Sequence, residues 1–347
     1  MNFRKASALI LTALCLLLLL NCCTVPTKSR SYQKSDIAMG SAVSVKLYAL
    51  GDADTEQVAQ QMITKIKQLD TLISKNDENA FLYSLNQKSG QTLETDPELI
   101  DYIIKTKEVY ALSDSKLSVT SGALTELWGF DTDNFRLPEE AEIKKAIPFC
   151  SDEGLTVSKK NLTVFVPEGG IINLGSVGKG IACDKAVECF NYSSQSCQGA
   201  VISVGGSIAV IGSHDKKQDW TVGIRNPFGE VNDYFGTLTV SGTGFVSTSG
   251  SYEKSFNLDG KSYHHILDLT TGYPVETELV SVSVKADSGL LSDALSTMCF
   301  VLGEEKSKDI LNRYNAQAVF VYKDKSVSVT DGIKDAFKIV NGEFKPI

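Results

Sequence analysis

The chain has 347 residues, with 34 Lys and Arg against 42 Asp and Glu and a net charge of -8 at pH 7. An acidic chain without a Lys/Arg-rich stripe lacks the electrostatics of a nucleic-acid binder, so any phosphate it binds must be held locally. The length allows one large or two smaller domains with real cores.

The N-terminus reads Met1-Asn-Phe-Arg-Lys5, then a mostly apolar run from Ala6 to Leu20, then Asn21-Cys-Cys-Thr-Val-Pro26. A basic start and an apolar stretch of about fifteen residues fit a secretory signal better than a membrane span, which takes about 20. A leucine run ending at cysteine resembles a bacterial lipobox, in which the cysteine is lipidated and becomes the first mature residue. Asn21 stands where a small residue is usual, so Cys22 and Cys23 both remain open as the lipidated position, and a plain cleaved signal or a short uncleaved anchor is the alternative. Residues 1–21 are thus read as the signal, 22–35 as a polar tether and 36–347 as a single domain. The expectation is an exported protein, lipid-anchored to a bacterial membrane on its periplasmic side. Loss of residues 1–21 removes Arg4 and Lys5 and no acid, which takes the charge from -8 to -10.

Residues 42–48 alternate as a first strand. Asp54 then caps a helix whose stripe is Val58, Met62, Ile66, Leu69 and Ile73, and Asp96-Pro97 opens a second helix that runs to about Leu112. Strand-like runs follow at 162–166, 200–204, 208–211, 220–224, 236–240, 279–285 and 318–322. Many short strands joined by tight turns, with a few helices between, argue for an antiparallel α+β protein rather than a doubly wound sheet. No repeat or low-complexity linker divides the chain. Of the eight cysteines, Cys15, Cys22 and Cys23 lie in the N-terminal segment. Cys150, Cys183, Cys189, Cys197 and Cys299 form no CxxC and no metal spacing with histidine, so they read as small buried side chains with room for one disulfide.

Three segments carry candidate chemistry. Ile171-Ile-Asn-Leu-Gly-Ser-Val-Gly-Lys-Gly180 leads through a glycine-rich turn into a helix that starts near Ile181, a plausible diphosphate cradle with Lys179 as a point charge. Its spacing is neither Walker A nor GxGxxG, and a strand-to-helix turn with no ligand explains it equally well. Ser247-Thr-Ser-Gly-Ser-Tyr252 and Tyr263-His-His-Ile-Leu-Asp-Leu-Thr-Thr-Gly-Tyr-Pro274 hold two of the three histidines. Proton transfer near neutral pH most often uses histidine, and the surrounding hydroxyls and turn formers suit a polar loop. His214 sits in a charged run and reads as a solvated loop residue. Leu290 to Gly303 is a buried helix on which Asp293 and Thr297, four apart, can present a carboxylate and a hydroxyl to one hard cation, magnesium better than zinc. A capping or back-bonding pair is the plainer alternative.

Together these segments resemble the FAD:protein FMN transferases, the ApbE family, over nearly the whole chain after the signal. The matching pieces are Met39-Gly-Ser41, Leu69-Asp70 with Ser74 and Asn86, Leu127-Trp-Gly-Phe130, and Leu174-Gly-Ser-Val-Gly-Lys-Gly180 with Asp184. They continue with Val204-Gly-Gly206, Thr248-Ser-Gly250, His265-Ile-Leu-Asp268 with Thr271-Gly-Tyr-Pro274, and Ser292-Asp-Ala-Leu-Ser-Thr297. The resemblance implies a T-fold-like α+β architecture of antiparallel sheets with packed helices. It also implies an enzyme that binds FAD with Mg²⁺ and moves FMN to a threonine or serine of membrane redox flavoproteins, in a Ser/Thr-Gly-Ala-Ser/Thr sequence, with release of AMP.

It further implies roles for single residues. Asp293 and Thr297, with an oxygen from the Ser176 region, would hold Mg²⁺. Lys179 and the glycine-rich loop, with Asn173, Asp184, Thr248 and Gly250, would hold FAD. Met39, Asn76 and the Lys116-Leu117-Ser118 segment would line the flavin pocket, with Leu267 packed near it. His265 would take the acceptor's proton, leaving His264 a spectator. Five residues in three places depart from the family pattern: Lys116-Leu-Ser118 stands where the family often has a glycine, an aromatic and an acid, Asn173 where it often has an aspartate, and Asn76 where many members carry a tyrosine that covers the flavin. The last change favours water as nucleophile, so FAD pyrophosphatase activity is the second reading and a non-catalytic flavin-binding lipoprotein the third. Ser121-Gly-Ala-Leu124 is close to the acceptor sequence but lacks its last hydroxyl, and reads as structural.

Overall fold

The computed structural model describes residues 29–347 apart from 51–53, 133, 194–196 and 215–218; the signal and lipobox readings lie outside the described residues. The frame is a nine-stranded sheet whose strands follow one another in chain order. They are β1 (Ser29–Ala38), β2 (Ser41–Leu50), β3 (Cys197–Val204), β4 (Ser207–Gly212), β5 (Gly244–Gly250), β6 (Leu279–Ala286), β7 (Gln317–Tyr322), β8 (Ser326–Val329) and β9 (Lys345–Pro346). Every neighbouring pair is antiparallel except β8 with β9. Eight helices are described: α1 (Thr55–Ile73), α2 (Phe81–Asn86), α3 (Pro97–Tyr110), α4 (Gly122–Trp128), α5 (Glu140–Ala146), α6 (Gly178–Ser193), α7 (Gly289–Leu302) and α8 (Glu304–Arg313). This is the antiparallel α+β class expected from the sequence.

Strand alternation assigns the two faces of the sheet. Ala209, Ile211, Phe245, Ala318 and Phe320 point into the core shared with α1, α6 and α7, whereas their neighbours Val210, Val246, Val319 and Val321 point into a second core. That second core is closed by a three-stranded sheet (Asp219–Arg225, Tyr234–Ser241 and Phe337–Ile339) carrying Trp220, Phe235 and Phe337. The sheet from β4 to β7 is therefore covered on both sides. A third cluster, built on Trp128, Phe130 and Ile143, packs beside the hairpin of Ser255–Leu258 and Lys261–His264.

Four sequence readings change. The tether assigned to 22–35 is folded strand from Ser29 onward, in full register with β2. The covered face of β1 holds Lys34 and Asp36 beside Tyr32 and Ala38, so its alternation is of exposure rather than hydrophobicity, as suits an edge strand. Ser247 to Ser249 are not loop but part of β5, where Ser247 and Ser249 hydrogen-bond across to Ser292, Ser296 and Thr297 of α7. Helix α6 begins at Gly178, which puts Lys179 in its first turn. His214 is half-buried against Trp220 and Tyr48 rather than solvated. The five described cysteines are all free, and four of them are buried.

Helices α6 and α7 touch backbone to backbone. A Cβ placed on Gly180 would lie 2.0 Å from the Gly289 carbonyl oxygen, and one on Gly289 would lie 2.0 Å from that of Gly180. Each helix also lends the other a carboxylate: Asp184 of α6 accepts from the Gly289 and Leu290 amides at 2.6 and 2.9 Å, and Asp293 of α7 accepts from the Gly180 amide at 2.8 Å. These amides have no partner within their own helix, so the two crossings satisfy each other. Gly180→Ala should therefore destabilise the protein by roughly 2 kcal/mol or more through overpacking against main chain. A calorimetric Tm within a degree of wild type would contradict the close crossing.

Candidate active site

The β1–β2 turn, the loop before α6, the end of β5, the segment around His265 and helix α7 converge on one cavity of about 450 Å³. Met39 and Gly40 form a two-residue hairpin turn with left-handed φ angles of 56° and 62°, and the Asp70 carboxylate accepts from the Met39 amide at 2.7 Å. That bond holds a methionine in a conformation it seldom adopts, and its side chain reaches the cavity wall beside Gly178.

Lys179 crosses the tight turn between β3 and β4. A Cβ on Gly205 would lie 3.0 Å from Lys179 Cδ, and one on Gly206 would lie 2.9 Å from the Thr248 carbonyl oxygen. Gly205 thus leaves a corridor for the lysine stem, Gly206 lets the turn approach β5, and Lys179 lines the cavity. Asn173, in the same wall, donates through Nδ2 to Thr125 and accepts the Gly175 amide on Oδ1, shaping the turn that precedes α6.

Asp293 is buried, and burial pushes its carboxyl up to about 6 although Lys179 and the Gly180 amide act in the opposite direction. No cationic side chain among the described residues forms an ion pair with it. Thr297, one turn on, hydrogen-bonds Ser249 at 3.0 Å, and Ser176 accepts from the Tyr110 hydroxyl at 2.6 Å. No group of three or more His, Cys, Asp or Glu able to hold a metal gathers among the described residues. One buried carboxylate with hydroxyl neighbours, facing the cavity, fits Mg²⁺, which keeps waters and takes substrate oxygens, and does not fit a zinc cage.

His265 Nδ1 lies 3.1 Å from the Glu253 carbonyl oxygen. A carbonyl only accepts, so Nδ1 carries the hydrogen and Nε2 keeps its lone pair. Burial, helped by Lys254 and Lys179, holds the imidazole down to about 3, so it is neutral at physiological pH. His264 is buried edge-on to Phe300, and its Nδ1 accepts the Ile266 amide, away from the cavity lining. Leu117, Leu267, Leu269 and Phe130 supply an apolar wall suited to a flat ring.

Of the residues singled out in the sequence, Met39, Asn76, Leu117, Ser118, Asn173, Ser176, Lys179, Thr248, Gly250, His265, Leu267, Asp293 and Thr297 line this cavity. Two do not. Lys116 turns away to an ion pair with Asp268, and Asp184 is spent on the start of α7. Ser121-Gly-Ala-Leu124 opens α4, with Leu124 buried and Gly122 bonded to Ile171.

The sequence reading missed a charged wall. The Lys75 amine, on a side chain only 5% exposed, pairs with Asp131 at 3.1 Å and Glu126 at 3.3 Å, and Lys254 reaches Asp131 at 3.4 Å. Asp131 directly follows Leu127-Trp-Gly-Phe130, and Lys254 follows the serine-rich segment by two residues, so adjacency to the motifs was the available signal. Burial raises the Asp131 pKa, but Lys75 and Lys254 outweigh it and the net shift is downward from 3.8. A lowered carboxyl adds stability above its unfolded pKa and loses it as pH falls through the folded value. Asp131→Asn should cost about 1–2 kcal/mol at pH 7, and the difference from wild type should fade as the pH falls below the ordinary carboxylate range; urea unfolding at pH 7 and in acid checks this.

The model of the ApbE family matches residues 39–320. A protein of Treponema pallidum (strain Nichols) named FAD:protein FMN transferase is 28% identical, over 95% of this chain and 95% of its own length. One of the same name from Klebsiella pneumoniae (strain 342) is 28% identical, over 92% of this chain and 98% of its own. The crystal structure of the ApbE protein from Thermotoga maritima superimposes with a TM-score of 0.80 at 29% identity, over 88% of this chain and 99% of that one. The glycine corridor for Lys179, the Asp293–Thr297 pair and His265 all lie within the matched span, and the chain belongs to the ApbE family.

Proposed function

We propose that this chain is an Mg²⁺-dependent FAD:protein FMN transferase, which takes FMN from FAD to a threonine or serine of a partner protein and releases AMP. The observation that carries the reading is that one cavity unites Lys179, the Asp293–Thr297 pair and His265 with an apolar wall for a flavin. The names of the relatives agree with it.

In this reading Lys179 draws the diphosphate to the start of α6, and the wall of Leu117 and Leu267 takes the flavin ring. Mg²⁺, held by Asp293 and Thr297 near Ser176, would supply charge neutralisation at the diphosphate. Neutral His265 accepts on Nε2 the proton of the incoming hydroxyl, whose oxygen bonds to the phosphorus of the FMN half. The anhydride P–O bond to AMP breaks, and AMP leaves with its electron pair. The acceptor is a flavoprotein of a membrane redox complex carrying Ser/Thr-Gly-Ala-Ser/Thr. The working place is the periplasmic side of a bacterial membrane, with the chain anchored through Cys22 or Cys23.

The test is to incubate the chain from Thr24 onward with FAD, Mg²⁺ and a protein bearing that sequence. AMP together with an acceptor heavier by one FMN is the expected result. Intact FAD in every mixture would sink the reading. His265→Ala should lower transfer by at least about 100-fold while FAD stays bound, and Asp293→Asn should remove the response to Mg²⁺.

A second reading, FAD pyrophosphatase, is favoured by Asn76. This residue lies where the main cavity meets a neighbouring one of about 630 Å³, and it accepts a hydrogen bond from Lys75 rather than offering a ring to the flavin. Asn76→Tyr should tighten FAD and lower the share of FMN released free into water. Base-on-aromatic stacking of about 1–3 kcal/mol sets the scale, about 5- to 150-fold in affinity. Unchanged FAD retention and hydrolysis would remove Asn76 from the argument.

A further inference from the structure

The cavity contains an anion of its own. The Glu253 carboxylate faces the Lys179 amine at 3.9 Å, the outer edge of an ion pair, with side-chain exposures of 29% and 23% and no hydrogen bond between them. Their heads meet over Gly206, where a Cβ would lie 3.8 Å from Glu253 Oε1 and 3.9 Å from Lys179 Nζ. The lysine stem is confined in the glycine corridor, whereas Glu253 lies in the turn that follows β5. Its successor Lys254 has φ 37°, a left-handed backbone held at its far end by Asp131. The main chain and side chain of Glu253 also do separate things: the carbonyl orients His265, and the carboxylate faces Lys179.

We propose that Glu253 is the resident counter-anion of Lys179, displaced when the diphosphate of a flavin or adenine nucleotide enters and returning when product leaves. The inference rests on the reading of this cavity as a flavin-nucleotide site and adds to it a residue that weakens binding. A loose, half-exposed pair costs little to open. The same carboxylate repels any phosphate approaching Lys179, so the ligand gains less than the lysine alone would give. Rotation of the side chain leaves the carbonyl of residue 253 on His265, so the base keeps its tautomer while the anion moves aside. Glu253 in this sense tunes affinity: it takes from every phosphate-bearing ligand part of the attraction of Lys179, leaves a ligand without phosphate unaffected, and returns to the lysine as products separate.

The experiment compares Glu253→Gln with wild type by calorimetric titration at low salt, using FAD in metal-free buffer, ADP without and with Mg²⁺, and riboflavin as the ligand without phosphate. Glu253→Gln should bind FAD and ADP about three- to tenfold more tightly and riboflavin equally. The gain should shrink as salt is added and vanish in a Lys179→Met background. ADP binding that is unchanged or weaker in Glu253→Gln, or a gain that persists without Lys179, overturns the inference while leaving the proposed function standing. Weaker binding only with Mg²⁺ would make Glu253 a metal ligand instead, and also overturns it. A folded wild type that binds neither FAD nor ADP overturns the flavin-nucleotide reading itself, and the inference falls with it.

Discussion

The contact on which the site depends is the crossing of α6 and α7 at Gly180 and Gly289. Only hydrogen at both positions lets the two backbones meet, and that approach brings the first turn of each helix within reach of the other's aspartate. The two carboxylates then have different fates. Asp184 takes two amides of α7 and has no share of the cavity, whereas Asp293 takes one amide of α6 and lines the cavity wall. Nearly the same bond made twice gives a cap on one side and a candidate cation ligand on the other. The hydroxyls of β5 then fix α7 along its length, so the site's carboxylate is positioned by a helix, a strand and a neighbouring helix at once.

Much of this was legible in the sequence because it is written in short-range pattern. The strands at 200–204, 208–211 and 279–285 alternate or run apolar, and Asp54 and Asp96 cap α1 and α3 as their side-chain chemistry requires. The role of Asp184 was not legible. An aspartate six residues into a helix reads as a surface or ligand-facing charge, and only the tertiary crossing reveals the amides it accepts. Lys116 was misplaced for a related reason: its neighbours Leu117 and Ser118 do line the cavity, but its own amine is captured by Asp268, far along the chain. Serines 247 and 249 read as loop because polar residues in a central strand contradict the usual pattern, and their partners on α7 cannot be seen locally. β1 was hidden by its polarity, since an edge strand gains from charge what a central strand would lose.

Charge is distributed across the cavity in near balance rather than as a single cationic pocket. Lys75 and Lys254 are matched by Asp131 and Glu126, Lys179 faces Glu253, and buried Asp293 forms no ion pair among the described residues. The lining lysines Lys75, Lys179 and Lys254 are outnumbered by lining acids, so the cavity carries no broad positive field. Recognition instead falls to a few fixed groups at short range, where a local dielectric lower than water makes each of them count for more.

The strand β1 has a consequence for reach. Its last residues lead directly into Met39 on the cavity wall, and its first described residue is Ser29. At about 3.3 Å per residue the strand spans roughly 30 Å. Met39 is thus held one strand length from Ser29, and because β1 is in full register with β2 its distance from whatever precedes the sheet is set by a hydrogen-bonded ladder: a pull on the Ser29 end would reach the cavity wall through ten paired residues.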